Sequence, residues 1–254
     1  MRSLLYSRLD GLLSPPPAER RIAFLKGHRY AHRGLHGGDI VENSRAAFSA
    51  AVAKEDGIEL DVQLSADGIA FVFHDETLER LTGISGRLTE LGGPEIGSTR
   101  LTGTDETIPR LEEVLTLVGG RAPILIEIKA TEALVGRLCL AVRRAIEGYR
   151  GQLAVMSFNP EVGNWFALHA PRITRGLVVT EHGHRSPVAT FKRHLALWRA
   201  RPDFLAYDIL DLPSRFAAQQ RARGLPVLTW TVRGAQAETI ASEHADAPIY
   251  EQLD

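Results

Sequence analysis

From residue 28 onward the chain alternates short apolar runs with stretches of helical periodicity. The runs at 29–33, 57–64, 69–74, 124–129, 153–158, 175–179, 204–209, 226–232 and 248–251 read as strands. The stretches at 44–55, 110–119, 131–148, 188–200, 212–223 and 234–244 read as helices. Asn43 or Ser44 would cap the first helix, and Asp211 or Pro213 would open the fifth. Such alternation is the pattern of a parallel sheet with helices packed outside it. One connection departs from it. Ala66-Asp67-Gly68-Ile69 offers Asp-Gly, the strongest short hairpin signal. Parallel neighbours need a crossover of about a dozen residues, so the runs on either side of Asp67-Gly68 must be antiparallel. Setting that extra strand aside leaves eight parallel strands, the number of an α/β barrel.

The expected fold is therefore a TIM-type (β/α)8 barrel spanning residues 28–254, with a β-hairpin and a small cap insertion after the second strand. The cap is assigned to residues 76–108, a Gly- and Thr-rich stretch too long for a structureless loop. Residues 1–27 read as a leader outside the barrel, broken by Pro15-Pro16-Pro17, with a helix from about Ala18. A length of 254 residues with 44% hydrophobic side chains suits one barrel domain. A net charge of −1 argues against nucleic acid as a partner. Cys139 is the one cysteine, so no internal disulfide is possible. The N-terminus lacks the apolar core of a secretory signal, and no stretch approaches the ~20 apolar residues of a membrane span. A cytoplasmic location is expected.

Chemistry concentrates on the strand faces. In Ile58-Glu59-Leu60-Asp61-Val62-Gln63-Leu64, period 2 sends the aliphatic residues to one face and Glu59, Asp61 and Gln63 to the other. Two like charges one strand pitch apart repel unless a cation sits between them, and hard divalent cations favour oxygen ligands. With a two-residue turn at Asp67-Gly68, Ala66 faces Ile69, Leu64 faces Phe71, Val62 faces Phe73 and Asp61 faces His74. That register sets His74 beside the carboxylates. In Ile124-Leu125-Ile126-Glu127-Ile128-Lys129 the isoleucines share one face, while Glu127 and Lys129 share the other, at the C-terminal end of a strand. Barrel interiors are normally aliphatic, so inward charges there mark an active-site mouth, the alternative being a Glu–Lys ion pair.

His32 and Arg33 follow the first strand and precede Gly34. Arg33 reads either as a phosphate-binding fork or as a surface ion pair. For it to share a site with His32 the strand must bend near Gly34. Glu42, read alone, is an acidic residue favouring a helix N-terminus. His182-Gly183-His184 forms a two-histidine unit open to a transition metal or to an ordinary loop. The sequence has no Gly-x-Ser-x-Gly elbow, no Gly-rich dinucleotide loop and no cysteine-based zinc pattern.

Taken in order, Ala31-His32-Arg33-Gly34, Glu42-Asn43-Ser44, Glu59-Leu60-Asp61-Val62, Asp67-Gly68, Phe73-His74-Asp75, Glu127-Ile128-Lys129, Ser157-Phe158 and Trp230-Thr231-Val232 resemble the glycerophosphodiester phosphodiesterase family. The likeness covers residues 28–232 in the family's order and approximate spacing. It implies metal-dependent hydrolysis of a glycerophosphodiester, a small molecule, to glycerol 3-phosphate and an alcohol. It further implies Glu59, Asp61 and Glu127 as ligands of one divalent cation, Mg2+ or Ca2+, with Glu42 at the edge of that site. His32 and His74 match the acid–base pair, and Arg33, Lys129 and Trp230 match substrate-binding positions. Three segments depart from the family pattern: Val41 stands for a usual proline, Arg233 for a usual asparagine, and Ala247-Pro248-Ile249-Tyr250-Glu251 for a Gly-Ile-Ile-Thr-Asp-like strand. None removes a position of the catalytic set. The alternatives are a lysophospholipase D-like phosphodiesterase, a barrel metallohydrolase using His182 and His184, and a catalytically silent metal-binding barrel.

Overall fold

The structure, a computed structural model, describes residues 2–184 and 186–252, with side chains from Leu5 onward. Its strands are β1 (Tyr30–Ala31), β2 (Gly57–Leu64), β3 (Ala70–Val72), β4 (Ile124–Ile128), β5 (Leu153–Ser157), β6 (Thr174–Val179), β7 (Phe204–Asp208), β8 (Val227–Val232) and β9 (Ala247–Tyr250). The sheet order is β1-β9-β8-β7-β6-β5-β4-β2-β3, and β1 also pairs with β2. Eight parallel strands thus close into a barrel, with β3 as one extra strand. The expected TIM-type fold is the observed one.

By contact the chain forms two compact units, one of residues 30–153 with Glu251, the other of residues 2–29 with 154–250. In the first, β2 lies between β1 and β4, parallel to both. Every residue of β2 is buried, and so is every residue of β4, as strands covered on both faces must be. The first helix, Arg45–Ala53, is capped by Ser44, whose Oγ accepts from Ala47 N at 3.1 Å. Its free N–H groups at Arg45 and Ala46 donate to the Glu106 carboxylate at 2.8 and 2.9 Å. A negative group at the positive helix end is the favourable arrangement.

The hairpin forms, but its register differs by one residue from the expected one. Leu64 pairs with Ala70, Gln63 with Phe71 and Val62 with Val72. Asp61 O accordingly accepts from Phe73 N at 3.0 Å, and Asp61 and His74 are not cross-strand neighbours. The loop has three residues rather than two. Ser65 O accepts from Gly68 N at 3.0 Å and Ser65 N donates to Ile69 O at 2.9 Å, with Gly68 at φ 90°. This is a type I turn closed by a left-handed glycine, the usual three-residue hairpin. Side chains wire it. Ser65 Oγ accepts from Ile69 N at 2.8 Å, and Asp67 holds Gly93 N at 3.0 and 3.1 Å. A one-residue shift exchanges faces. Phe71 and Phe73 now join a buried cluster with Leu78, Leu88, Ile96, Leu101 and Ile108. The stretch 76–108 therefore has its own core, with short helices at Glu79–Thr82 and Gly93–Ser98.

In the second unit, β6 to β9 are successive parallel neighbours. The fifth expected helix starts later than its sequence suggested, at Arg215, because Ser214 caps it by accepting from Phe216 N and Ala217 N. Asp211 accepts instead from Glu181 N and Thr180 Oγ1 in the loop after β6. The N-terminal segment forms the helix Arg2–Leu13. Its Asp10 is wholly buried. Asp10 accepts from Trp198 Nε1 and Gln220 Nε2, each at 2.8 Å, and pairs with His194 Nδ1 at 2.8 Å.

Burial raises the Asp10 pKa, but the bonds from His194, Gln220 and Trp198 outweigh it, leaving Asp10 below its ordinary 3.8. A depressed acid stabilises the fold above its unfolded pKa and loses that contribution as pH falls through the folded value. Asp10→Ala should cost about 3–5 kcal/mol at pH 7, since it strands the buried His194 and Gln220 and the partly buried Trp198. The gap in unfolding free energy between wild type and variant should narrow as pH falls below about 4, as chemical denaturation at several pH values will show.

Candidate metal centre and active site

The register of β2 against β4 builds the acidic group. Asp61 lies opposite Glu127, and Glu59 lies opposite Leu125, two residues back on β2. Paired residues on parallel neighbours share a face, so the three carboxylates converge. One oxygen from each of Glu59, Asp61 and Glu127 lies within 4.8 Å of the others. All three residues are buried, at 1%, 1% and 8% exposure. Glu59 Oε1 accepts no hydrogen bond, and Asp61 Oδ1 meets only Lys129 Nζ. Three converging buried carboxylates, all of one hard-ligand type and one with an oxygen that has no donor, fit a divalent cation such as Mg2+ or Ca2+.

Two cations of the chain flank this group. Lys129 Nζ lies 2.7 Å from Glu127 Oε1 and 3.1 Å from Asp61 Oδ1. Arg33 Nε lies 3.3 Å from Asp61 Oδ2, and Arg33 Nη1 lies 2.8 Å from Glu42 Oε1. Arg33 reaches inward because β1 ends at Ala31 and the chain turns, with Arg33 at φ 55° and Gly34 at φ 78°. The same turn aims the backbone N–H of Arg33 at Glu59 Oε2, 3.0 Å away. The bend expected near Gly34 thus begins at Arg33, and the left-handed backbone lets both His32 and Arg33 serve one centre.

The histidines stand beside the acids. His32 Nε2 lies 3.9 Å from Glu59 Oε2, and its Nδ1 lies 2.5 Å from Glu251 Oε1. His74 Nδ1 lies 2.7 Å from Asp75 Oδ1. Its backbone is placed by Gln63, whose buried Nε2 lies 3.1, 3.1 and 2.5 Å from the carbonyls of Phe73, His74 and Asp75. This amide contact, rather than a cross-strand pair, brings His74 to the carboxylates of β2.

Burial sets most of the proton affinities. It pushes Glu59 well above the usual carboxylate range, and the charges of Asp61 and Glu127 add to the rise. It raises Glu127 as well, against the opposing pull of Lys129. Burial also acts to raise Asp61, but Lys129 and Arg33 outweigh it and hold Asp61 well below its ordinary value. Lys129 is desolvated, yet Asp61 and Glu127 keep it firmly charged. Both His32 and His74 are lowered, chiefly by burial, with Glu251 and Asp61 respectively opposing the shift.

Eight of the nine sequence-derived site residues gather in this one unit: His32, Arg33, Glu42, Glu59, Asp61, His74, Glu127 and Lys129. Trp230 is on β8 in the other unit, where its Nε1 donates to Ala206 O at 3.0 Å and its ring meets Phe158 edge-on at 5.6 Å. His182 and His184 lie in the loop after β6 and join no group of three metal-ligating side chains among the described residues. Three further residues of the centre carry no distinguishing signal in the sequence. Asn43 is not the helix cap; its Nδ2 donates to Asp61 Oδ2 at 3.0 Å, and its φ of 55° turns it inward. Gln63 shared the carboxylate face but carried no assigned role. Glu251, at the end of a segment that departs from the family pattern, holds His32.

The profile of the glycerophosphoryl diester phosphodiesterase family matches residues 32–247. The chain belongs to this family. A glycerophosphodiester phosphodiesterase of Bacillus altitudinis is 40% identical over 112 residues, 41% of this chain and 45% of that protein. Glycerophosphodiester phosphodiesterase 1 of Mus musculus is 29% identical over 215 residues, 77% of this chain and 63% of that protein. The chain thus spans about half to two thirds of the length of these curated relatives. A phosphodiesterase of Oleispira antarctica, solved in complex with the product sn-glycerol-3-phosphate, superposes with a TM-score of 0.79 at 25% identity, covering 89% of this chain and 93% of that one.

A cation held by the native centre stabilises the fold with the logarithm of its excess over Kd, by about 2.7 kcal/mol at a hundredfold excess. Added Mg2+ or Ca2+ should therefore raise the melting temperature of the wild type, and Asp61→Asn should abolish the rise. Thermal scans of both proteins in chelator and in metal provide the check.

Proposed function

We propose that this chain hydrolyses glycerophosphodiesters to glycerol 3-phosphate and an alcohol, using one divalent cation, Mg2+ or Ca2+. The single observation that carries the reading is the convergence of Glu59, Asp61 and Glu127, buried within 4.8 Å of one another, beside two cationic side chains. The family membership supports it, as does the product bound by the Oleispira antarctica relative. When bound, the cation supplies positive charge against a phosphoryl oxygen. Glu59, Asp61 and Glu127 hold it there, and Glu42 sits at the edge through Arg33.

The remaining work falls to the chain's own groups. Lys129 and Arg33 stabilise the negative charge that builds on the phosphoryl oxygens, in a site largely withdrawn from water. A carboxylate can only accept a hydrogen bond, so Asp75 accepts from Nδ1–H of His74 and Glu251 from Nδ1–H of His32. Each neutral ring thereby offers an unprotonated Nε2 that takes a proton, and a ring already protonated on both nitrogens gives its Nε2 proton up. One histidine accepts the proton of the attacking hydroxyl, and the other donates to the leaving alkoxide. Trp230 is assigned to the substrate. The same reading takes residues 28–254 as one phosphodiesterase domain with 76–108 as its cap, acting in the cytoplasm.

Chelation should abolish hydrolysis, and Mg2+ or Ca2+ should restore it. His32→Ala and His74→Ala should each lower turnover by at least about 10²-fold with the fold intact. Together they should cost far less than the product of the two, because they act as a unit. Assays on glycerophosphocholine, glycerophosphoethanolamine, glycerophosphoglycerol and a lysolipid provide the check. Activity confined to the lysolipid would favour the lysophospholipase D reading. Full activity in chelator with no bound metal, or a near-normal single histidine variant, would refute the mechanism.

A further inference from the structure

Arg80 lies in the insertion, on the short helix Glu79–Thr82, and the function proposed above gives it no part. Its guanidinium forks twice. Nε and Nη2 meet Asp75 Oδ2 and Oδ1 at 2.5 and 2.9 Å. Nη1 and Nη2 meet Glu42 Oε2 and Oε1 at 3.0 and 2.7 Å. Each carboxylate in turn grips a residue of the centre. Asp75 Oδ1 is 2.7 Å from His74 Nδ1, and Glu42 Oε1 is 2.8 Å from Arg33 Nη1. A continuous chain of charged contacts therefore runs from His74 through Asp75, Arg80, Glu42 and Arg33 to Asp61.

Arg80 itself is half exposed, at 48%, while Asp75 and Glu42 are mostly covered, at 22% and 12%. An ordinary exposed ion pair is worth little to stability. Two bidentate forks differ from such a pair, because the planar guanidinium fixes the angle of each carboxylate as well as its position. Asp75 is the group that benefits. Left alone it could rotate and offer His74 either oxygen or neither. Clamped by Arg80 it stays ionised, with a pKa lowered to about 2, and presents Oδ1 to the ring.

We propose that Arg80 is a positioning residue that fixes the tautomer and orientation of His74 through Asp75, and the aim of Arg33 through Glu42. The role rests on the phosphodiesterase reading of the centre and adds to it a function for the insertion. The insertion places the arginine, and the arginine orders groups carried by the barrel loops. Partners behind a functional histidine commonly set its tautomer in this way, and their loss costs about 10- to 100-fold in activity. Lysine has the charge but not the fork, so it cannot hold both carboxylates at fixed angles.

The test compares wild type, Arg80→Ala and Arg80→Lys by kinetics and by 15N NMR of the His74 ring. In the wild type the His74 ring should carry its proton on Nδ1 alone. In Arg80→Ala both tautomers should appear, with the melting temperature nearly unchanged. Against the soluble glycerophosphodiester that the wild type hydrolyses, kcat should fall about 10- to 100-fold with KM nearly constant. Guanidinium ion should restore part of kcat in Arg80→Ala and none in His74→Ala. Arg80→Lys should fall between, which keeps the test open if the alanine variant fails to fold. The proposal is overturned if the ring keeps a single tautomer in Arg80→Lys and Arg80→Ala, or if kcat stays within about twofold of the wild type. It is overturned also if Arg80→Ala lowers kcat by the same factor in a His74→Ala background, since the effect then does not pass through His74. A wild type inactive on every phosphodiester would refute the proposed function instead, and the tautomer measurement would still decide the role of Arg80.

Discussion

Burying three carboxylates within 4.8 Å of one another is the constraint that orders this centre. Each loses hydration on burial, and each repels the others. The surrounding chain is arranged around that cost. Lys129 stands two residues beyond Glu127 on the same face and reaches both Glu127 and Asp61. Arg33 takes a left-handed backbone conformation that brings its guanidinium to Asp61 and its N–H to Glu59. Asn43, also in a left-handed conformation, donates its Nδ2 to Asp61. Even so, Glu59 and Glu127 are pushed toward protonation, and Glu59 Oε1 stays without a donor. A divalent cation would remove the repulsion and give that oxygen a partner at once.

The insertion is tied to the same unit at several points. Phe71 and Phe73 supply the base of its core. Glu106 covers the N-terminus of the first helix, and Arg80 clamps Glu42 and Asp75. Residues 76–108 therefore contact Glu42 and Asp75, which in turn meet Arg33 and His74.

Much of this was legible in the sequence, and the failures have physical causes. The strands could be read because period 2 and parallel burial leave strong apolar runs. Glu59, Asp61, Glu127 and Lys129 could be read because charge on an inward barrel face is unusual. The hairpin was visible in Asp67-Gly68, but its register was not. Whether such a turn has two or three residues depended here on Ser65 closing the loop onto Ile69. His74 was placed beside Asp61 for the wrong reason, and Gln63 provides the actual one. Asn43 was hidden because Asn-Ser before a helix reads as a cap, and only one of the two can take that role. Glu251 and Arg80 were hidden because their partners are distant in sequence, 219 and 38 residues away.

Anomalous diffraction from crystals grown with Ca2+ or Mn2+ tests the central claim most directly. The account predicts one strong peak between β2 and β4, with oxygens of Glu59, Asp61 and Glu127 about 2.3–2.6 Å from a calcium ion. A peak held by His182 and His184, or no peak at the three carboxylates at saturating metal, would contradict it.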